Sequence, residues 1–341
     1  MTGTSEVPLV RRRPGWWRCG MPQTQTAYVG VAFAVLIVII WIMAPVFMTP
    51  RNLVNISKNF SFIALMSLGE TLVIISGGID LSVGSVCALS AVVTMMLMRL
   101  LSATAAAQVP GATIALAALL ALALAALIGL VNGLLIALAR LSPFVTTLGM
   151  LSVARGMTYV LTQGRAQYPV GSDVAVFTRF TNGVVLGVPT QLVYLLVLAV
   201  LMALALRHLV WGRHLYAVGG NTQAAALTGV RVPRVMLSVY ALSGLAAGFS
   251  GVLIAGWLGA APANLATGYE LRVIAAAVIG SANLAGGVGG AAGAVLGAAL
   301  IEVIRNGFVL IGANTYWEEV FVGVIIIIAV LVDQLRTRRV F

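Results

Sequence analysis

The sequence predicts an all-α polytopic membrane protein of about ten transmembrane helices. Two observations carry this. Of 341 residues, 61% are apolar and 9% charged, against roughly 45–50% and about 25% in a soluble domain. The apolar residues also fall in blocks long enough for a hydrocarbon core, which takes about 20 helical residues. These blocks lie at 27–47, 54–76, 82–101, 112–139, 144–163, 189–207, 235–258, 271–284, 290–311 and 317–333.

Each element follows from local composition. The first block is preceded by Arg11, Arg12, Arg13 and Arg18, which resembles an export signal. The run from Ala27 to Phe47 is too long for a signal h-region, and no small-x-small cleavage site follows. It therefore reads as a first transmembrane helix with Trp16 and Trp17 near the interface. Ten crossings place both termini on one side of the membrane. With that side cytoplasmic, twelve basic residues fall inside and six fall at or near the outer side, while Arg155 and Arg305 lie within spans. This asymmetry supports an inner-membrane protein with both termini cytoplasmic. The expected organisation is a basic tail at 1–26, a transmembrane domain at 27–333 with a loop at 208–234, and a tail at 334–341.

The net charge of +11 comes from 20 Lys and Arg against only nine acids. The basic residues sit at block ends, so the balance indicates a lipid bilayer as partner and no nucleic acid. Cys19 and Cys87 form neither a disulfide framework nor a metal-type spacing.

Two blocks end in glycine-rich turns, Gly77-Gly78-Ile79-Asp80 and Gly286-Gly287-Val288-Gly289-Gly290. They occupy corresponding places in the two halves of the chain. Paired interruptions of this kind mark inverted-repeat transporters with broken helices at a central pathway; tight interfacial loops between spans are the other reading. Gly244 and Gly248, and Gly289, Gly293 and Gly297, recur every four residues, a spacing that lets helices pack closely.

Charged groups inside a bilayer usually face the bundle interior and have partners or jobs. Glu70, Asp80, Arg155, Glu270, Arg272, Glu302 and Arg305 are the candidates. Glu302 and Arg305, three apart, are placed to pair. Asp80 at its glycine break fits a turn-stabilising role or a solute contact. The only lysine, Lys58, stands between Ser57 and Asn59, so the chain carries no Walker A site. HExxH and Gly-x-Ser-x-Gly patterns are also absent from the sequence. No catalytic residue, metal site or cofactor is expected in this chain.

The segment Gly77-Gly78-Ile79-Asp80-Leu81-Ser82-Val83-Gly84 resembles the ribose-type permeases of ABC monosaccharide importers, related more distantly to branched-chain amino-acid permeases. In the same order come Asn132-Gly133, Ser142-Pro143-Phe144-Val145-Thr146-Thr147-Leu148-Gly149 and Arg155-Gly156. Further on are Gly212 to Asn221 with Ala224, Ala225 and Gly229, then Gly268-Tyr269-Glu270-Leu271, Ile274-Ala275-Ala276 and Gly286-Gly287. The resemblance covers roughly 45–333.

It implies the inverted-repeat permease subunit of an ATP-driven importer that moves a monosaccharide or sugar-like solute. Its implied partners are an ABC ATPase that binds ATP and Mg, a periplasmic sugar-binding protein, and a second or homologous permease. It also implies that the loop within 212–234 carries a coupling helix docking on the ATPase. Asn221 is suited to cap a helix starting at Thr222, and small residues suit a knob seated in a partner's groove. Gly219, Gly220, Asn221, Ala224, Ala225 and Gly229 are the expected coupling residues. By polarity and position, the candidate pathway runs over Glu70, Gly77, Gly78, Asp80, Ser82, Gly84, Asn132 and Glu270. Two departures from the family pattern, Ser281 after Gly280 and Arg272 after Glu270, keep the solute itself open. An ion-coupled secondary transporter is the competing reading, resting on Glu70, Asp80 and Glu302.

Overall fold

The computed structural model describes residues 22–312 except Ser281, together with Trp317, Val320, Gly323, Val324 and Ile327. The first 21 residues of the basic tail, most of the block at 317–333 and the tail at 334–341 lie outside the described residues.

The chain is almost wholly helical. In order come α1 (Pro22–Met43), α2 (Pro50–Ile75), α3 (Val83–Leu101), α4 (Ala112–Ala137) and α5 (Pro143–Thr162). A short α6 (Val174–Asn182) leads into a hairpin, β1 (Val184–Val185) and β2 (Val188–Pro189), whose register pairs Val184 with Pro189. The remaining helices are α7 (Thr190–His208), α8 (Val210–Gly220), α9 (Thr222–Leu227), α10 (Val232–Leu258), α11 (Tyr269–Ile279) and α12 (Ala291–Leu310).

Seven of these helices are long and apolar enough to cross a membrane. Their limits match the apolar blocks within one or two residues, except that α2 and α10 begin three or four residues earlier, because their polar first turns are helical too. Pro50, Pro143 and Pro233 each stand at the start of a helix, where a missing N–H costs nothing. The expected loop at 208–234 is mostly helix, α8 and α9. The block at 271–284 yields only the 11 residues of α11. That is about 16 Å of helix, too short to span alone. The chain reaches α11 through the irregular segment 259–268, which is tied at membrane depth: Arg155 Nη1 of α5 donates to the Ala263 and Leu265 carbonyls at 3.3 and 2.7 Å.

Helix α2 is the axis of the bundle, with 83% of its apolar window buried, against 22% for α5. α7, α10, α11 and α12 pack around it, α3 packs on α10, α4 and α5 lie against α3, and α1 lies on α12. Close approach comes from small residues. Cβ atoms added at Gly129 and Gly244 would fall on the Tyr240 and Ala125 carbonyl oxygens, so α4 and α10 touch backbone to backbone. A Cβ at Gly297 would likewise fall on Ala276 of α11. The spacing at Gly244, Gly248, Gly293 and Gly297 is thus a packing device, as the sequence suggested, whereas Gly289 lies in the turn before α12. Glu302 and Arg305 do pair, with Arg305 Nε donating to Glu302 Oε2 at 2.8 Å.

Outside the spans, Asp173 ties the start of α6 to the start of α4. Its Oδ1 and Oδ2 accept from the N–H groups of Gly111 at 3.0 Å and Thr113 at 3.1 Å. The Gly111 bond, first, and the Thr113 bond hold this carboxyl below the usual carboxylate range. A depressed value contributes stability above the unfolded pKa of about 3.9 and loses it as pH falls through the folded value. Asp173→Asn is therefore expected to speed hydrogen exchange at the Gly111 and Thr113 amides at neutral pH. The difference from wild type should shrink only in acid, as pH falls through the depressed folded value, which lies below the ordinary carboxylate range.

Packing gives a second prediction. Gly244→Val, forced against α4, should lower stability in detergent by about 1–3 kcal/mol. Gly156→Ala, whose Cβ would meet no atom, should leave the thermal midpoint unchanged or raise it.

Candidate functional site: a polar centre joined to a short helix pair

The break after α2 is a built structure. Gly77, with φ +84°, ends the helix: its N–H donates to Ile74 O at 2.9 Å and that of Gly78 to Val73 O at 3.0 Å. This is the Schellman arrangement, which needs a residue free to adopt positive φ. The chain then folds back into the bundle. The Asp80 N–H donates to Glu70 Oε1 of α2 at 3.1 Å, and Thr147 Oγ1 of α5 donates to Ile79 O at 3.2 Å.

Asp80 organises the turn into α3. Its Oδ1 accepts from Ser82 N at 2.9 Å and Ser82 Oγ at 2.6 Å, and its Oδ2 accepts from Ser243 Oγ of α10 at 3.0 Å. Asn132 Nδ2 of α4 donates to Ser82 Oγ at 3.1 Å. One seven-residue segment is thereby held by α2, α4, α5 and α10. Its side chains are buried: Glu70, Asp80, Ser82 and Asn132 are each at most 1% exposed.

Of the expected pathway residues, Glu70, Gly77, Gly78, Asp80, Ser82 and Asn132 come together here. Gly84 and Glu270 meet one step away, on the first turn of α3, where a Cβ at Gly84 would fall on the Glu270 carboxylate and the Ala266 carbonyl. The sequence reading overlooked two members. Tyr240 and Ser243 of α10 face this centre; the Tyr240 hydroxyl lies where a Cβ on Gly78 would be. The available signal was two polar residues three apart near the middle of the span. Three fully buried polar atoms, Glu70 Oε2, Asn132 Oδ1 and the Tyr240 hydroxyl, have no hydrogen-bond partner among the described residues. Burying polar atoms without a partner is costly.

The second group of candidates lies on α8 and α9. Asn221 caps α9, its Oδ1 accepting from Ala224 N at 2.9 Å, as its position suggested. Ala224 is exposed, while Ala225 is buried against the bundle at 4% exposure. Gly229, with φ +89°, turns the chain toward α10. The residue that composition alone did not single out is Leu227, which is 90% exposed at the end of α9.

Gly219 and Gly220 connect the two groups. A Cβ at Gly219 would fall on the Ile75 carbonyl, the last of α2. That same carbonyl accepts from Gly287 N at 2.9 Å. A Cβ at Gly286 would press on Gly219 and Gly77, one at Gly287 on Gly220, and Tyr216 Oη donates to Gly289 O at 2.8 Å. The two glycine breaks of the sequence therefore meet each other, with the end of α8 wedged against both.

Among the described residues there is no group of three or more His, Cys, Asp or Glu placed to hold a metal ion. A bundle of spanning helices whose complete spans α2 and α3 are joined by a buried polar turn, with a short helix pair packed on that turn, fits a membrane transport permease. The chain matches the family model described as "Branched-chain amino acid transport system / permease component" over residues 52–330. It is 39% identical over 308 residues to the ribose import permease protein RbsC of Escherichia coli, covering 89% of this chain and 92% of that one. It is 37% identical over 316 residues to the galactose/methyl galactoside import permease protein MglC of Escherichia coli, covering 91% and 94%. The probable ABC transporter permease protein y4mJ of Sinorhizobium fredii is 38% identical over 317 residues, 93% of this chain and 91% of that one. No solved structure matches the chain. The chain belongs to this permease family, within the ribose-type ABC transporter permeases.

Removing the Asp80 carboxylate strands the Ser82 and Ser243 donors. Asp80→Ala should cost about 1–3 kcal/mol and Ser243→Ala about 0.5–1.5 kcal/mol, read as midpoints of thermal unfolding in detergent. Equal midpoints for wild type and Asp80→Ala would remove Asp80 from its central place.

Proposed function

We propose that this chain is the membrane-spanning permease subunit of an ABC importer that carries a monosaccharide or sugar-like solute into the cytoplasm. ATP and Mg are bound by a separate ATPase subunit. A periplasmic sugar-binding protein delivers the solute, and a second permease, identical or homologous, completes the pathway. Both termini are cytoplasmic, which puts α8 and α9 on the side of the ATPase. The names and reach of the relatives support the solute class.

The observation that carries the mechanism is the glycine joint. α9 presents Leu227 and Ala224 outward, while the adjoining end of α8 rests directly on the last turn of α2 and on the loop before α12. A push on α9 is delivered, backbone to backbone, to the break that holds Asp80. No flexible side chain intervenes to absorb it. For such a push to switch access, nucleotide binding must favour one permease state by a few kcal/mol. The residues here transmit force and shape a path; they form no covalent intermediate.

The second permease has a natural face. Among the seven long candidate spans α5 is the least buried, and Cβ atoms added at Gly149 and Gly156 would meet nothing within the described residues. With Ser152, also exposed, these residues form a small, weakly polar outward strip, suited to a helix of another subunit or to the solute path between them.

The test is solute-stimulated ATP hydrolysis in liposomes containing the permease, its ATPase and its binding protein. Leu227→Ser and Ala224→Glu alter exposed positions, and each is expected to weaken coupling about tenfold or more while the protein still folds and inserts. Ala225→Glu would instead unseat α9 from the bundle. Solute uptake driven by an ion gradient without ATPase would overturn the reading. Orientation is tested by the thiols. Cys87 is buried, so a membrane-impermeant maleimide should label Cys19 in inside-out vesicles and leave it unlabelled in right-side-out ones.

A further inference from the structure

Between α10 and α11 the chain returns into the bundle as irregular backbone, and three fixed points set its depth. Ala261 pairs with Gln167, five residues past the end of α5 at Thr162, through bonds of 2.8 and 3.0 Å. The Ala266 carbonyl lies beside the place of a Cβ on Gly84, in the first turn of α3. Between these points Arg155 Nη1 holds the Ala263 and Leu265 carbonyls. Arg155 stands seven residues before the end of α5, about 10 Å of helix rise.

The polarity of this segment is the reverse of a lipid-facing surface. From Ala261 to Gly268, Ala261, Ala263, Leu265 and Ala266 are buried, and the two exposed residues are the polar ones, Asn264 and Thr267. On α7 the exposed residues include Leu196, Val197, Val200, Leu201 and Leu204. Irregular backbone at membrane depth is tolerated only where protein buries it or where it lines water. Arg155 adds a charge to the same surface. It is half-buried, pairs with no carboxylate among the described residues, and uses only Nη1 on the two carbonyls. A guanidinium at this depth is costly unless it is hydrated or partnered.

We propose that Ser152, Arg155, Asn264, Thr267 and Glu270 line a water-filled vestibule that receives a polyhydroxylated solute of no net charge. The solute itself rests on the permease reading above; the water does not. Arg155 donates, Asn264 donates and accepts, and Glu270, half-buried at the start of α11, accepts. Every sugar hydroxyl also donates and accepts, so this mixed set matches it. Arg155 meets the Leu265 carbonyl, and the Glu270 carboxylate shares the Gly84 contact with the Ala266 carbonyl. One charge of each sign therefore flanks the same short stretch, which disfavours a strongly charged solute of either sign. In the orientation proposed above, the Gln167 end is the outer one.

Cysteine reactivity tests this without an ATPase or a binding protein. In right-side-out vesicles of the Cys19→Ser permease, Asn264→Cys and Thr267→Cys should react with membrane-impermeant methanethiosulfonates. Each should react roughly tenfold or more faster than Leu201→Cys, because a thiol in hydrocarbon stays protonated and inert. Normalised to a free thiol, Asn264→Cys should favour an anionic reagent over a cationic one by roughly fivefold. Arg155→Lys should keep that preference and Arg155→Gln should lose it. Among neutral pentoses and hexoses and the matching sugar acids and amines, a neutral sugar should slow the labelling of Asn264→Cys most. That arm needs no change at Arg155. Thiols as slow as Leu201→Cys in vesicles of both orientations would mean that lipid or a second copy covers the segment, and would overturn the proposal. So would a charge preference that survives Arg155→Gln, or labelling that no neutral sugar slows. The importer reading is decided separately, by the dependence of uptake on ATP.

Discussion

The structure depends on how a stretch of non-helical backbone is satisfied within the helix packing. Between Ile75 and Val83 the main chain leaves the helix against other helices of the bundle, where an unpaired buried N–H or C=O costs about 1–3 kcal/mol. The Schellman turn at Gly77, the Glu70 carboxylate under the Asp80 N–H, the Thr147 hydroxyl on the Ile79 carbonyl and the Asp80 carboxylate on Ser82 account for most of those groups. Because the partners come from α2, α4, α5 and α10, the break pins four helices to one another. A polar segment that would destabilise an isolated span becomes the point where the bundle is assembled.

That arrangement gives the molecule a direction. The α2 carbonyl left free by the break, Ile75 O, is taken by Gly287 from the second break, and Gly219 of α8 packs on it. Three glycine-rich segments, distant in sequence, thus share one carbonyl. Side chains at Gly219, Gly286 or Gly287 would separate these backbones. Glycine is therefore required here by close approach, with positive φ an added reason at Gly286 and Gly287. The joint connects a surface helix pair to the polar centre with no compliant part between them, as a device converting an external push into a change of access requires.

The chemistry of the centre suits a solute path better than ion coupling. Asp80 spends its acceptor capacity on serine donors, and Glu302 is held by Arg305. Two of the three carboxylates behind the ion-coupled reading are thus engaged in holding structure. The relatives, named as permeases of ABC-type sugar import, point the same way.

Much of this was legible in the residues alone. The apolar blocks announced the spans because the bilayer imposes a length. Gly77 and Asp80 announced a break because no simple lipid-facing helix carries them, and Asn221 announced the start of α9 through its capping oxygen. The ordered motifs announced the family. Other features depend on three-dimensional neighbours. Composition showed neither that α11 is only half a span nor that Tyr240 and Ser243 turn toward Asp80. It did not show that Ala225 is buried while Leu227 projects, or that the two breaks touch through Gly219. The sequence by itself determined which segments enter the membrane and where the chain must bend, because those depend on local hydropathy and backbone freedom. Only the tertiary structure decided which bends meet and which side chains face them, because pairing across the bundle depends on helix rotation and depth, which are set by backbone contacts between residues distant in sequence.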